Sequence, residues 1–147
     1  MAQQGLFPYA YTYTILINGY CKAGYVFQGI ELFEEMQDKD LLSNHITYNS
    51  LINALCKEGK VKVASYLHDE MASKGIQSDA STYNTLIDGY CRVGNLEKVN
   101  APFKNMLLGG MVPNIVTYNS LILGHSKKGL LQRSSYLYNK MALFLVF

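Results

Sequence analysis

The stretch TYNSLI stands at Thr47–Ile52 and again at Thr117–Ile122, with TYNTLI midway at Thr82–Ile87. The step between copies is 35 residues, and the rest of the chain follows it. Thr12-Tyr13 opens the same series. Leu16-Ile17 returns as Leu51-Ile52, Leu86-Ile87 and Leu121-Ile122. Gly24, Gly59, Gly94 and Gly129 keep the step, as do Met1, Met36, Met71, Met106 and Met141. Cys21, Cys56 and Cys91 keep it too, with Ser126 in the fourth place. So many ungapped columns mark an internal repeat.

Each unit reads as two helices. From Thr47, the apolar residues Tyr48, Leu51, Ile52 and Leu55 fall at helical spacing and predict one buried stripe. Lys57-Glu58-Gly59 ends that helix, with a cation in the last turn and Gly as the stop. A second helix is expected from about Val61 to Ser73, with Val63, Ala64, Leu67 and Met71 inward and Lys74-Gly75 closing it. Gly19, Ala54, Gly89 and Gly124 recur inside the first helix. A Gly there costs up to ~1 kcal/mol of helix propensity, and a close helix–helix approach is the usual compensation. A lone hairpin cannot bury its own faces, so neighbours must stack. The expected fold is all-α, a right-handed α-solenoid of stacked helix-turn-helix hairpins. The whole chain, 1–147, is then one array with units at 10–44, 45–79, 80–114 and 115–147, and 1–9 the tail of an earlier unit.

The bulk numbers narrow the classes. At 49% hydrophobic and 16% charged, a chain of 147 residues can fold. A net charge of +2 does not by itself point to nucleic acid. No apolar run reaches the ~18 residues of a membrane span, so no membrane partner is expected. The three cysteines form no CxxC pair and have no zinc-type His spacing, so neither a metal nor another cofactor is expected. They read as packed thiols, suited to a reducing compartment. The start, MAQQGLFPYAYTY, has neither signal-peptide nor transit-peptide character.

The quoted residues resemble the pentatricopeptide repeat (PPR) family. The resemblance lies in the uniform 35-residue step, TYN opening the first helix, GYCKAG (Gly19–Gly24) and GYCRVG (Gly89–Gly94) closing it, and ELFEEM (Glu31–Met36) in the second. It covers essentially the whole chain and is similar to the plain subclass, including plant organellar, fertility-restorer-like members. It implies binding of single-stranded RNA, one nucleotide per repeat, each base read by two side chains. Those pairs would be Thr14 with Asn44, Asn49 with Asp79, and Asn84 with Asn114. Asn119 is the fourth first-helix reader, and its partner would lie beyond Phe147. The family's pattern implies adenine for Thr with Asn, uracil for Asn with Asp, and a pyrimidine for Asn with Asn, or 5′-A-U-Y-3′. It also implies mitochondrial residence, with chloroplast the alternative, and protein partners in RNA processing.

The residue chemistry agrees with that implication. Ile46, Asn49, Asn53 and Lys57 share one helix face. Their counterparts are Tyr11, Thr14, Asn18 and Lys22; Ser81, Asn84, Asp88 and Arg92; and Val116, Asn119, Leu123 and Lys127. Stacking would line these up on the concave side. Tyr11, Ile46, Ser81 and Val116 would press against bases. Lys22, Lys57, Arg92 and Lys127 would meet one phosphate per nucleotide. Amides and hydroxyls can bond a Watson–Crick edge that is exposed only in single strands. The acids Glu31, Glu34, Glu35, Asp69 and Glu70 sit in second helices and would face away.

Other readings stand beside this one. An Asn near a helix start also serves as a cap, and a Lys in the last turn complements the helix dipole. The alternative function is a protein-interaction scaffold of tetratricopeptide type, whose period is about 34 residues and whose Trp and Ala columns this chain lacks. Catalysis is not expected, since the chain has no HxE with CxxC and no acidic metal cluster.

Several positions depart from the pattern. Tyr9 stands where an Asp or Asn would close an earlier unit, and Tyr11 and Ser81 replace aliphatic residues. Gly29, in the column of Ala64, is expected to loosen the first unit. Pro102 shares a column with Leu32, Leu67 and Leu137, and predicts a kink or break near Asn100–Pro102. The apolar tail Ala142–Phe147 reads as a hydrophobic cap or a truncated frame, and with Met1 in mid-unit it suggests a fragment of a longer array.

Overall fold

A computed structural model describes residues 6–127, 129 and 131–146. Among these the chain forms eight helices: α1 (Leu6–Lys22), α2 (Val26–Asp38), α3 (His45–Lys57), α4 (Val61–Ser73), α5 (Ala80–Arg92), α6 (Asn100–Leu108), α7 (Ile115–Lys127) and α8 (Leu131–Val146). Residues 6–9, expected to belong to an earlier unit's tail, continue α1. The side chains of the apolar tail 142–147 lie outside the described residues.

Each first helix after α1 starts on a side-chain cap from the residue that closes the preceding unit. Asn44 Oδ1 accepts the Thr47 N–H at 3.1 Å, and Asp79 Oδ1 accepts the Thr82 N–H at 3.0 Å. Asn114 Oδ1 accepts the Thr117 N–H at 3.1 Å. These bonds satisfy donors that a helix start otherwise leaves orphaned. The turn between helices is as regular. After α3, Gly59 takes φ +79°, and the Lys60 N–H reaches back to Leu55 O at 2.8 Å. Only a left-handed residue closes the helix this way, and Gly adopts that conformation without a Cβ penalty. At the far end of α2, Asp40 holds φ 55° where Gly75 and Gly110 stand in the later units.

The helices pair as α1–α2, α3–α4, α5–α6 and α7–α8, and α1, α3, α5 and α7 pack side by side in one inner layer. The outer α2 also packs on α3, and α4 on α5. The core lies between the layers, with Tyr48, Leu51, Ile52 and Leu55 buried as the spacing predicts. An aromatic pair recurs at each junction. Phe33 meets Tyr48 edge-on at 5.2 Å, His68 meets Tyr83 at 5.1 Å, and Phe103 meets Tyr118 at 6.4 Å. The solenoid architecture is the one the repeat implies.

Three local expectations need correction. Val63 is 47% exposed, while Val61, Ala64, His68 and Met71 form the buried stripe of α4. At 3.6 residues per turn, a residue two positions after Val61 faces nearly the opposite way. Gly29 is no void, because a Cβ there would lie 3.0 Å from Cys21 Sγ. Close approach explains Gly89 and Gly124, but not Gly19. A Cβ would meet Cys56 Sγ at 3.0 Å at Gly89 and Cys91 Cβ at 2.7 Å at Gly124, and nothing within 4 Å at Gly19.

The break at Pro102 is present. The second helix of this unit begins only at Asn100, and Leu96–Val99 form turns instead of a helical start. Pro102 then sits in the first turn of α6, where its missing N–H leaves no bond unmade.

Candidate nucleic-acid interface

Among the described residues, open grooves run between the inner helices. One, of about 340 Å³, runs between α1, α3 and α5 and is lined by Asn18, Lys22, Ile46, Asn49, Asn53 and Lys57, with Ser81 on the far wall. The next, of about 560 Å³, is lined by Asn53, Lys57, Ser81, Asn84, Asp88 and Arg92, with Asn114 and Val116 beyond. The grooves thus hold the middle part of the strip inferred from the column pattern, while Tyr11, Thr14, Asn119, Leu123 and Lys127 line neither. None of Glu31, Glu34, Glu35, Asp69 and Glu70 lines either groove.

The paired residues meet, but not as bare pairs. Thr82 Oγ1 lies 2.6 Å from Asn49 Oδ1 and 3.0 Å from Asp79 Oδ1. Thr117 Oγ1 likewise bonds both Asn84 Oδ1 and Asn114 Oδ1, while Asn84 Nδ2 reaches Asn114 Oδ1 at 3.5 Å. Thr47 Oγ1 joins Thr14 Oγ1 and Asn44 Oδ1, each at 3.3 Å. The linking residue in each case is the Thr of the next TYN. The motif columns displayed these threonines, yet the columns do not reveal that their hydroxyls face the junction. Thr47 and Thr117 are fully buried, and Thr82 nearly so. Asn44, Asp79 and Asn114 thus cap helices and at once share a threonine hydroxyl with their pair members, Asn114 also meeting Asn84 directly. Among the described residues, the Asn119 side chain has no hydrogen-bond partner and stands exposed.

A second set of bonds ties neighbouring inner helices. Ser50 Oγ donates to Asn18 Oδ1 at 2.9 Å, and Ser120 Oγ to Asp88 Oδ1 at 3.2 Å. The cations Lys22, Lys57, Arg92 and Lys127 are all exposed. They are not equivalent, since Arg92 Nε pairs with Asp88 Oδ2 at 2.7 Å. The i,i+4 spacing of that pair was visible in the sequence. Of the residues expected to press on bases, Ile46, Ser81 and Val116 line the grooves, and Tyr11 is 70% exposed.

The cysteines are buried in the packing and free. Burial pushes Cys21 up to about 11, and Cys56 and Cys91 up to about 12. Such thiols stay protonated and are poor nucleophiles or metal ligands. No group of His, Cys, Asp and Glu among the described residues could hold a metal. No helix among them is long and apolar enough to cross a membrane.

The sequence model of the PPR repeat family matches residues 8–57, 43–92 and 78–127, and that of the PPR repeat matches 116–143. The chain belongs to the PPR repeat family. Its fold is similar to the crystal structure of the pentatricopeptide repeat protein PPR10 from maize, with a TM-score of 0.80 and 26% identity over 90% of this chain and 19% of that one. The structure of PPR10 in complex with an 18-nt psaJ RNA element matches over 91% of this chain and 20% of that one, with the same score and identity. The PPR domain of Arabidopsis thaliana protein-only RNase P 1, in complex with tRNA, shares the fold at a TM-score of 0.77 and 17% identity, covering 92% of this chain and 72% of that one. The chain spans about a fifth of the length of PPR10. No curated protein matches its sequence.

Proposed function

We propose that this PPR array binds single-stranded RNA, one nucleotide per unit, and acts in organellar RNA processing, stability or translation by occupying a transcript. The supporting observation is that three pairs, Thr14 with Asn44, Asn49 with Asp79 and Asn84 with Asn114, each converge at the junction that follows their unit. The units are 10–44, 45–79, 80–114 and 115–147. Ile46, Ser81 and Val116 bear on the bases, and Lys22, Lys57, Arg92 and Lys127 follow the phosphates. The favoured sequence is 5′-A-U-Y-3′. The role in the cell is one of binding rather than catalysis, in the mitochondrion or, as the alternative, the chloroplast.

Stacking of a base contributes ~1–3 kcal/mol, so three or four units bind weakly and with strong salt dependence. The test is a titration of short single-stranded RNAs, AUC-containing against scrambled. The double substitution Asn49→Thr with Asp79→Asn is expected to turn the middle preference from U towards A. An unchanged preference, or equal affinity for duplex and single strand, sinks base reading.

A further inference from the structure

We propose that the threonine opening each following unit, Thr47, Thr82 or Thr117, is a specificity-determining positioning residue whose hydroxyl proton sets which edge of the preceding amide faces the base. This rests on the base-reading proposal above and makes each reading unit a set of three side chains.

The argument is one of proton counting. A Thr hydroxyl has one proton to donate. Thr82 Oγ1 stands within bonding distance of two acceptors, Asp79 Oδ1 at 3.0 Å and Asn49 Oδ1 at 2.6 Å. It cannot serve both. If the proton goes to Asn49 Oδ1, the Asn49 amide shows only N–H donors to the groove. If it goes to Asp79, the amide turns so that Nδ2 donates to Thr82 Oγ1, and Asn49 shows Oδ1 beside its other N–H. The two ends of an amide have nearly the same shape, so packing does not choose between them; the hydrogen-bond network does. A carboxylate is the stronger acceptor, and the second arrangement also leaves no acceptor facing another. An adjacent carbonyl and N–H complement the adjacent N–H and carbonyl of uracil.

The third unit shows the contrast. Its closing residue, Asn114, is a neutral amide. Thr117 Oγ1 faces the same two acceptors, Asn84 Oδ1 and Asn114 Oδ1, and accepts the Asn114 backbone N–H at 3.2 Å; a neutral amide oxygen competes for its proton less strongly than a carboxylate, so the proton goes to Asn84 Oδ1. The Asn84 carbonyl is thereby held inward, and a nitrogen proton is what remains for a base acceptor. Asn49 and Asn84 are the same residue in the same column, each with Oδ1 toward its threonine; the carboxylate at Asp79 would turn the Asn49 amide over, whereas Asn114 leaves Asn84 as it stands. The charge of the closing residue reaches the reader through the threonine.

The experiment compares wild type, Thr82→Val and Thr82→Ser, with RNAs varied only at the base facing the second unit. T82V removes the hydroxyl at nearly constant shape. The expected result is that T82V lowers the preference for U over C about fivefold, the loss of one hydrogen bond, and that T82S keeps it. Preferences at the first and third bases should stay within about twofold. A T82V protein that keeps the wild-type ratio overturns the proposal and leaves base reading intact. Wild type that discriminates nothing defeats base reading itself. The positioning claim is then decided without RNA, by side-chain amide NMR of the unliganded wild type. Slowed exchange of one Asn49 Nδ2 proton supports the link to Thr82, and two protons exchanging at free-amide rates overturn it. That measurement also decides the question if T82V fails to fold.

Discussion

Residues 45–79 and 80–114 carry the same columns, yet only the first set builds a complete outer helix. The outer α4 has 13 residues, whereas α6 has 9. The inner helices α3 and α5 are both 13 residues long. The loss caused by Pro102 is therefore confined to the outer layer. The inner layer draws its order from elsewhere: caps from Asn44 and Asp79, and side-by-side packing of α3, α5 and α7. A solenoid whose grooves lie on its inner wall can tolerate damage to its outer one, provided the junction contacts survive. Here Phe103 still reaches Tyr118.

The largest expected effect comes from truncating the same column in both units. Met71 in α4 and Met106 in α6 are both fully buried. Met71→Ala should cost ~2–5 kcal/mol, because the long helix cannot collapse into the cavity. Met106→Ala should fall at the low end of that range, since a short helix preceded by turns can shift inward. Chemical denaturation of both variants measures the difference. An equal or larger cost at Met106 would break the comparison, for it would mean that α6 is held as firmly as α4.

Next in size is repair of the break. Pro102→Leu restores the residue found at Leu32, Leu67 and Leu137. The turns at Leu96–Val99 should then join the helix. An interior Pro costs ~3 kcal/mol, but Pro102 has already retreated to a first-turn position, so a gain of ~1–2 kcal/mol is expected. Far-UV circular dichroism should show added helix, and the melting temperature should rise. A lower melting temperature would mean that the turn at Leu96–Val99 is itself favoured by its packing, with Val99 buried in it.

The structure also shows which parts of the molecule a sequence can disclose. The two-helix unit and its glycine stops are properties of one repeat, and they recur along the chain. Column-reading therefore recovers them, Pro102 included. What it misses belongs to junctions. The Thr82 hydroxyl lies three residues from Asp79 and 33 from Asn49 in sequence, and it unites them only after two units stack. Val63 is apolar, but it stands two residues after the buried Val61 and so faces outward. Gly19 shares a column with Gly124 but not its environment. Gly124 has Cys91 against it, whereas Gly19 has nothing near.

The junction ring also separates the two units by pH. His68 occupies the column of Phe33 and Phe103 and is buried. Its Nε2 lies 2.6 Å from Ser78 Oγ, and its ring meets Tyr83. Burial lowers its pKa from the ordinary 6.5, against a smaller upward pull from Asp69. The unfolded chain therefore binds the proton more readily than the folded one. Stability from this group is complete above about pH 6.5 and falls as pH drops below that value, levelling off below the folded pKa. His68→Phe should flatten that part of the stability profile. A decline as steep as in wild type would place the titration elsewhere.

The smallest effect on stability, and the most direct on RNA, is expected at Asp88. In the second unit Lys57 extends into the groove beside the neutral Asn53. In the third, Arg92 is held by Asp88 at 2.7 Å. That pair is largely exposed, so its loss should change stability by no more than ~0.5 kcal/mol. Asp88→Asn restores the amide present at Asn18 and Asn53, and it retains an oxygen for the Ser120 hydroxyl. It releases the Arg92 guanidinium to a phosphate. One more phosphate contact on a single strand steepens the plot of log K against log salt by about 0.7. Binding measured across a salt series should show that steeper slope, with higher affinity at low salt. The matched variant Asn53→Asp should do the reverse in the second unit, provided Lys57 then folds back onto the new carboxylate. Parallel slopes for wild type and Asp88→Asn would mean that Arg92 does not reach the RNA in either state. The difference between the two cations would then belong to the surface alone.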